Sequence, residues 1–300
     1  MSRIRPFCGM ETPPEDASVV VYGAPFDGTT SFRPGTRHAS ERMRIESWGL
    51  ETYSPSLDDD LEHYAIGDAG DLDLPMGDVG AAISQIEQFS HECFQANRLP
   101  LMIGGEHSLS LGQFKAAFCR YPELHVIHFD AHTDLRDDLY GQPLSHASVI
   151  RRIADIMPPA RIHSFGIRSG LREEWIFARE NMDFHPFTLD GLEETIRSLA
   201  GVPVYLTIDL DVLDPAFFPG TGTPEPGGIS YLDLQRAVHA FDGSRIIAAD
   251  IMELAPPLDP SGASTAAACK ILRELAIVLG RSLSASSSAC VVHHVKMPAK

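Results

Sequence analysis

A chain of 300 residues, 44% of them hydrophobic and 22% charged, has the size and composition of one large α/β domain or two small ones. No apolar run approaches the roughly 18–20 residues of a membrane span, and MSRIRPFCGMETPPEDAS has no apolar core behind its basic residues, so it does not read as a signal peptide. The formal net charge of −17 argues against a nucleic-acid partner and favours cationic ligands, metal ions or a basic substrate, and without a long apolar run no membrane partner is expected.

In chain order, short apolar runs alternate with amphipathic stretches. Residues 18–22 (SVVVY) read as a strand ending at Gly23, followed by runs at 99–105, 124–130, 161–167, 204–210 and 245–251. Helical spacing appears at 83–97, 109–121, 229–241 and 263–280. Continuous apolar strands alternating with helices predict a parallel sheet covered on both faces. No internal repeat or long linker divides the chain, so residues 1–300 read as a single domain, with 1–17 a loose arm and 282–300 a flexible tail. His293 and His294 read as part of a solvated tail, because no carboxylate stands beside them. Cys8, Cys93, Cys119, Cys269 and Cys290 are scattered and form no CxxC, which predicts free thiols in a reducing, cytoplasmic setting.

Ligands of such sheets bind at the carboxyl ends of the strands. Four of those ends carry charge: GGEHS with His107, HFDAHTDLRDD with Asp130, His132 and Asp134, TIDLDVLDP with Asp209 and Asp211, and ADIMELAPP with Asp250 and Glu253. Extended side chains alternate with period two, so each row is expected to project to one side. A lone DxD is often a cap or a turn. Two rows at neighbouring strand ends, however, would crowd four carboxylates together, which requires cations. Two divalent metals balance four aspartates, and His107 and His132 add nitrogen ligands. A set dominated by oxygen with some imidazole suits Mn²⁺. His128 and His163, inside strands, read as satisfied core histidines or outer partners.

These motifs, together with GAPFDGTTSFRPGTRHA (23–39), SHAS, TIDLDVLDPAFFPGTGTPEPGG and DIMELAPPLDPSG, resemble the ureohydrolases, the arginase–agmatinase family, over nearly the whole chain. The resemblance implies a three-layer α/β/α fold around an eight-stranded, mostly parallel sheet. It implies two Mn²⁺ per subunit that hydrolyse a guanidino compound to urea and an amine. Carried over, the metal ligands are His107, Asp130, His132, Asp134, Asp209 and Asp211, with Asp130 and Asp209 bridging. Glu253 matches the carboxylate that pairs with the guanidinium, His146 the proton-transfer histidine, and Thr223 a hydroxyl near the guanidinium. Assembly into homo-oligomers, trimers or hexamers, is also implied.

The forms DLRDD, PLSHAS and GTGTPEPGG look more like agmatinases than arginases, which implies agmatine cleaved to putrescine and urea. Asp137 and Asp138 are expected near the entrance, where they would suit a dication. Arg136 is a candidate carboxylate partner and would instead favour guanidinobutyrate. The other readings are an arginase, a non-catalytic metal protein or a binuclear phosphoesterase; Glu253 would repel phosphate in the last.

Overall fold

A computed structural model describes residues 5–284 with their side chains and 285–292 as helical backbone. His293 and His294 lie outside the described residues. The main sheet has eight strands: β1 Val19–Ala24, β2 Ile66–Asp71, β3 Leu99–Gly104, β4 His125–Phe129, β5 Ile162–Phe165, β6 Asp183–His185, β7 Val204–Asp209 and β8 Ile246–Met252. Their order is β2-β1-β3-β8-β7-β4-β5-β6. Every pairing among them is parallel.

The helices are α1 Ala39–Ser47, α2 Val79–Gln95, α3 Ser110–Arg120, α4 Val149–Ala154, α5 Arg172–Asn181, α6 Leu192–Ser198, α7 Tyr231–Ala240 and α8 Ala263–Val292. The alternation of the strands sorts them into two layers. Leu101 and Ile103 of β3 and Leu206 and Ile208 of β7 join a core with Met43, Leu192, Leu234 and Leu272 of α1, α6, α7 and α8. Met102 and Tyr205 face the other way, toward Ile83, Phe114, Ile150 and Ala178 of α2, α3, α4 and α5. This is the expected three-layer architecture. Among the described residues no helix is long and apolar enough to cross a membrane.

The apolar pattern misses β2 and β6, the two edge strands. In β2, Asp68 and Asp71 bind the buried Arg44 of α1 at 2.7 and 2.5 Å, so its residues serve an ion pair instead of an apolar run. β6 has three residues, too few for a pattern. Residues 5–17 were expected to be loose. Phe7 and Met10 are instead buried, Phe7 N–H donates to Asp68, and Trp48 Nε1 donates to the Pro6 carbonyl. The last helix runs past the expected end at 280. Gly280 is internal to α8, where a Cβ would lie 2.4 Å from the Tyr64 ring: this glycine permits close packing and does not stop the helix.

β3, β8, β7 and β4 stand side by side at the centre of the sheet. Their carboxyl ends open on one common space, and that is where the charged motifs lie.

Candidate metal centre and substrate cavity

β3 ends at the double glycine. A Cβ on Gly105 would lie 1.9 Å from the Phe26 carbonyl oxygen, so only glycine lets the chain pass there. Glu106 and His107 follow, both completely buried, and His107 opens the turn into α3. β4 delivers Asp130, also completely buried. The row does not stay extended beyond it, because Asp134 has a φ of 49°, in the left-handed region that aspartate tolerates better than most residues. β7 ends at Asp209, whose carboxylate accepts the Asp211 N–H at 2.8 Å as the chain winds into a 3₁₀ turn. The side chains thus converge through turns and not through strict alternation.

The result is two half-sites that share Asp130. His107 Nδ1 lies 3.1 Å from Asp130 Oδ2 and 3.2 Å from both Asp134 Oδ2 and Asp209 Oδ2. His132 Nδ1 lies 3.0 Å from Asp211 Oδ2 and 3.4 Å from Asp130 Oδ1. His128 spends both ring nitrogens on outer contacts, 2.9 Å from Asp130 and 3.0 Å from Ser164 Oγ.

The donor set fits divalent metals. Thr207 Oγ1 donates to Asp250 at 2.6 Å and so accepts from His107 Nε2–H at 2.9 Å. His107 Nδ1 is left buried with no hydrogen bond, facing three carboxylate oxygens. A bare lone pair and three carboxylates repel one another unless a cation sits between them. Protonation behaviour leads to the same conclusion. Burial, then the charge of Asp130, pushes Asp134 up to about 7. Burial, then Asp211 and Asp130, holds Asp209 well above the usual carboxylate range. Burial also opposes the charge on Asp130, but the imidazoles of His107, His128 and His132 packed against it outweigh that and hold the carboxyl well below its usual range. The cluster cannot carry its full negative charge without cations, as expected of a binuclear metal site.

A cavity of about 310 Å³ opens over the cluster, with Glu253, His146 and Thr223 in its wall. Glu253 is buried at a φ of 66°, and its Oε1 accepts the His107 N–H at 2.8 Å. Burial outweighs that bond, and the charges of Asp211 and Glu106 add to it, so the carboxyl sits well above its ordinary range and favours a cationic partner. Thr223 Oγ1 donates to Asp211 at 3.3 Å. Burial, then the charge of His132, lowers His146 to about 4, so its imidazole is neutral at neutral pH and not poised there. A larger groove of about 670 Å³ between α6 and α7 holds none of these residues.

All six candidate ligands meet here, with Glu253, His146 and Thr223. The expected acidic entrance needs correction. Asp137 and Asp138 border a neighbouring cavity that shares Arg136, Leu171 and Glu174 with this one, but both carboxylates are already engaged. Asp137 pairs with Arg151 and Arg152 at 3.1 and 3.8 Å. Asp138 caps the Gly141 N–H at 2.8 Å. Arg136 does reach the wall but is drawn to the buried Glu174, its Nε 3.5 Å from Oε1. His163 sits apart in β5, bonded to His125 and Asp183. No role was legible in the sequence for Thr207, Glu106, Thr29 or Glu174, and Asp250 stood out only as a charge at its strand end. Thr207 was detectable in principle, since Thr207, Asp209 and Asp211 stand every second residue. Glu174, on a helix, left no such signal.

The arginase family profile matches residues 17–278. An agmatinase of Bacillus cereus is 46% identical over 265 residues, which are 87% of this chain and 91% of that protein. A guanidinopropionase of Pseudomonas aeruginosa is 33% identical over 290 residues, 92% and 91% of the two chains. A crystal structure given provisionally as an agmatinase, from Clostridium difficile, superposes with a TM-score of 0.88 at 47% identity, covering 90% of this chain and all of that one.

Proposed function

The chain belongs to the arginase family, and from that premise we propose that it is a manganese-dependent hydrolase that cleaves agmatine to putrescine and urea. The observation that carries this reading is the bare His107 Nδ1 among three carboxylates beneath a cavity walled by Glu253. His107, Asp130, His132, Asp134, Asp209 and Asp211 would hold two Mn²⁺, with Asp130 and Asp209 shared, His107 and Asp134 on one ion, and His132 and Asp211 on the other. Bound ions supply Lewis acidity and a water nucleophile at neutral pH.

The chain's own residues do the rest. Glu253 takes two N–H bonds from the planar guanidinium and fixes its orientation. Water oxygen joins the guanidinium carbon, the bond from that carbon to the substituted nitrogen breaks, and both water protons finish on the departing amine. His146, neutral before the reaction, takes up a proton of the water at Nε2 and hands it to the leaving nitrogen. Thr223 holds Asp211 in place through its hydroxyl.

Agmatine is favoured because the wall presents the carboxylate of Glu253 to a cation, while its cationic residue, Arg136, is paired with Glu174 and so is not free to hold a substrate carboxylate. The free thiols Cys8, Cys93, Cys119 and Cys269 accord with a cytoplasmic setting. Homo-oligomeric assembly belongs to the same reading. The test is urea release from manganese-loaded protein offered agmatine, arginine, guanidinobutyrate and a generic phosphoester. Agmatine is expected to exceed the other guanidines in kcat/KM by at least about 100-fold, the scale of a buried polar mismatch. A preference for guanidinobutyrate would overturn the substrate assignment and point to Arg136.

A further inference from the structure

His146 is held from behind by a chain of two side chains, Thr29 and Glu106, drawn from distant parts of the sequence. Glu106, completely buried, accepts the Thr29 N–H at 2.6 Å, the Thr29 hydroxyl at 2.5 Å and the Ser108 hydroxyl at 2.5 Å. The Thr29 hydroxyl has one proton, and the carboxylate takes it. Its oxygen is then left only to accept. It faces two groups of His146: the backbone N–H at 3.1 Å and ring Nδ1 at 3.4 Å. The ring can satisfy that contact only by carrying its proton on Nδ1. Nε2 is then the bare nitrogen, and it lies 3.2 Å from the Ser31 hydroxyl, which lines the cavity with His146.

The same arrangement acts on His107. There Asp250 takes the proton of Thr207, Thr207 accepts from one ring nitrogen, and the other ring nitrogen is bare and faces the carboxylates. A threonine polarised by a buried carboxylate therefore sets a histidine twice in this site, once toward the candidate metals and once toward the substrate.

We propose that Thr29, anchored by Glu106, is a positioning residue for His146: it fixes the Nδ1–H tautomer and turns the Nε2 lone pair toward the cavity. This rests on His146 carrying the proton, as set out above. Thr29→Val keeps the shape and the N–H bond to Glu106 but removes the hydroxyl. It is expected to lower kcat for urea release about ten- to a hundredfold, the usual cost of an outer hydrogen-bond partner, with KM and metal content unchanged. Thr29→Ser, which restores the hydroxyl, is expected to recover most of the turnover.

The deciding measurement is the double-mutant cycle with His146→Ala, in manganese-loaded protein. Once His146 is gone, Thr29→Val is expected to cost nothing further. Equal losses from Thr29→Val in both backgrounds, or a rise in KM at constant kcat, would overturn the role of Thr29 alone. Normal turnover of His146→Ala by itself would remove the proton-carrier reading, and the role of Thr29 with it.

Discussion

Asp130→Ala is expected to strip the protein of both metal ions and of all urea release above background. Among the described residues, Asp130 is the one carboxylate that reaches both His107 and His132, 3.1 Å from His107 Nδ1 through one oxygen and 3.4 Å from His132 Nδ1 through the other. Its position is fixed by His128 on one side and by the His132 N–H, 2.6 Å away, on the other. Removing it deletes a charge that both half-sites use, so the loss should far exceed the about 10–100-fold cost of an outer partner. Asp130→Asn keeps the volume and serves as the control against collapse of the buried site. Metal content after desalting is the measurement. Two ions retained per subunit in either variant would show that Asp130 does not bridge.

Glu253→Gln has the second-largest expected effect, of a different kind. The amide oxygen can still accept the His107 N–H that Glu253 now accepts at 2.8 Å, so the local turn should persist. The negative charge facing the guanidinium is lost. Breaking a buried ion pair costs about 3–5 kcal/mol, or roughly two to three and a half orders of magnitude in kcat/KM. Metal content should remain that of the parent protein, because Glu253 is not among the proposed ligands. Steady-state kinetics with agmatine, read beside metal analysis, separate the outcomes. Unchanged kcat/KM would remove Glu253 from guanidinium recognition, and lost metal would place it in the cluster.

Much of this site was legible in the sequence for one physical reason. Parallel strands buried on both faces must be continuous apolar runs, so their ends stand out, and the charged residues directly behind them mark the site. His107, Asp130, Asp209 and Glu253 were found in this way. The geometry of the last residues was not legible. Asp134 reaches His107 from a left-handed backbone conformation, and Asp211 from a 3₁₀ turn, where period-two alternation predicted extended chain. The edges of the sheet were hidden because β2 spends its aspartates on Arg44. The outer partners were hidden by distance along the chain: Thr29 meets Glu106 across 77 positions and His146 across 117. Substrate loops were the least legible part. Asp137 and Asp138 looked like a free acidic entrance; they border the cavity beside the substrate cavity, but Asp137 is spent on Arg151 and Arg152 and Asp138 on the Gly141 N–H.

The proposed activity, guanidinium cleavage, depends on two cations held by this cluster. Its most direct test is a titration of metal-stripped protein with Mn²⁺ while urea release from agmatine is followed. Asp134, held up to about 7, keeps its proton below that pH, and Asp209, held well above the usual carboxylate range, also resists losing its proton. Metal must displace these protons, so uptake should release them, and apparent affinity should rise with pH up to and through about 7. Urea release is expected to climb to its plateau at two ions per subunit, with putrescine formed in equal amount. Full loading with two ions and no urea from agmatine, arginine or guanidinobutyrate would contradict the proposed activity.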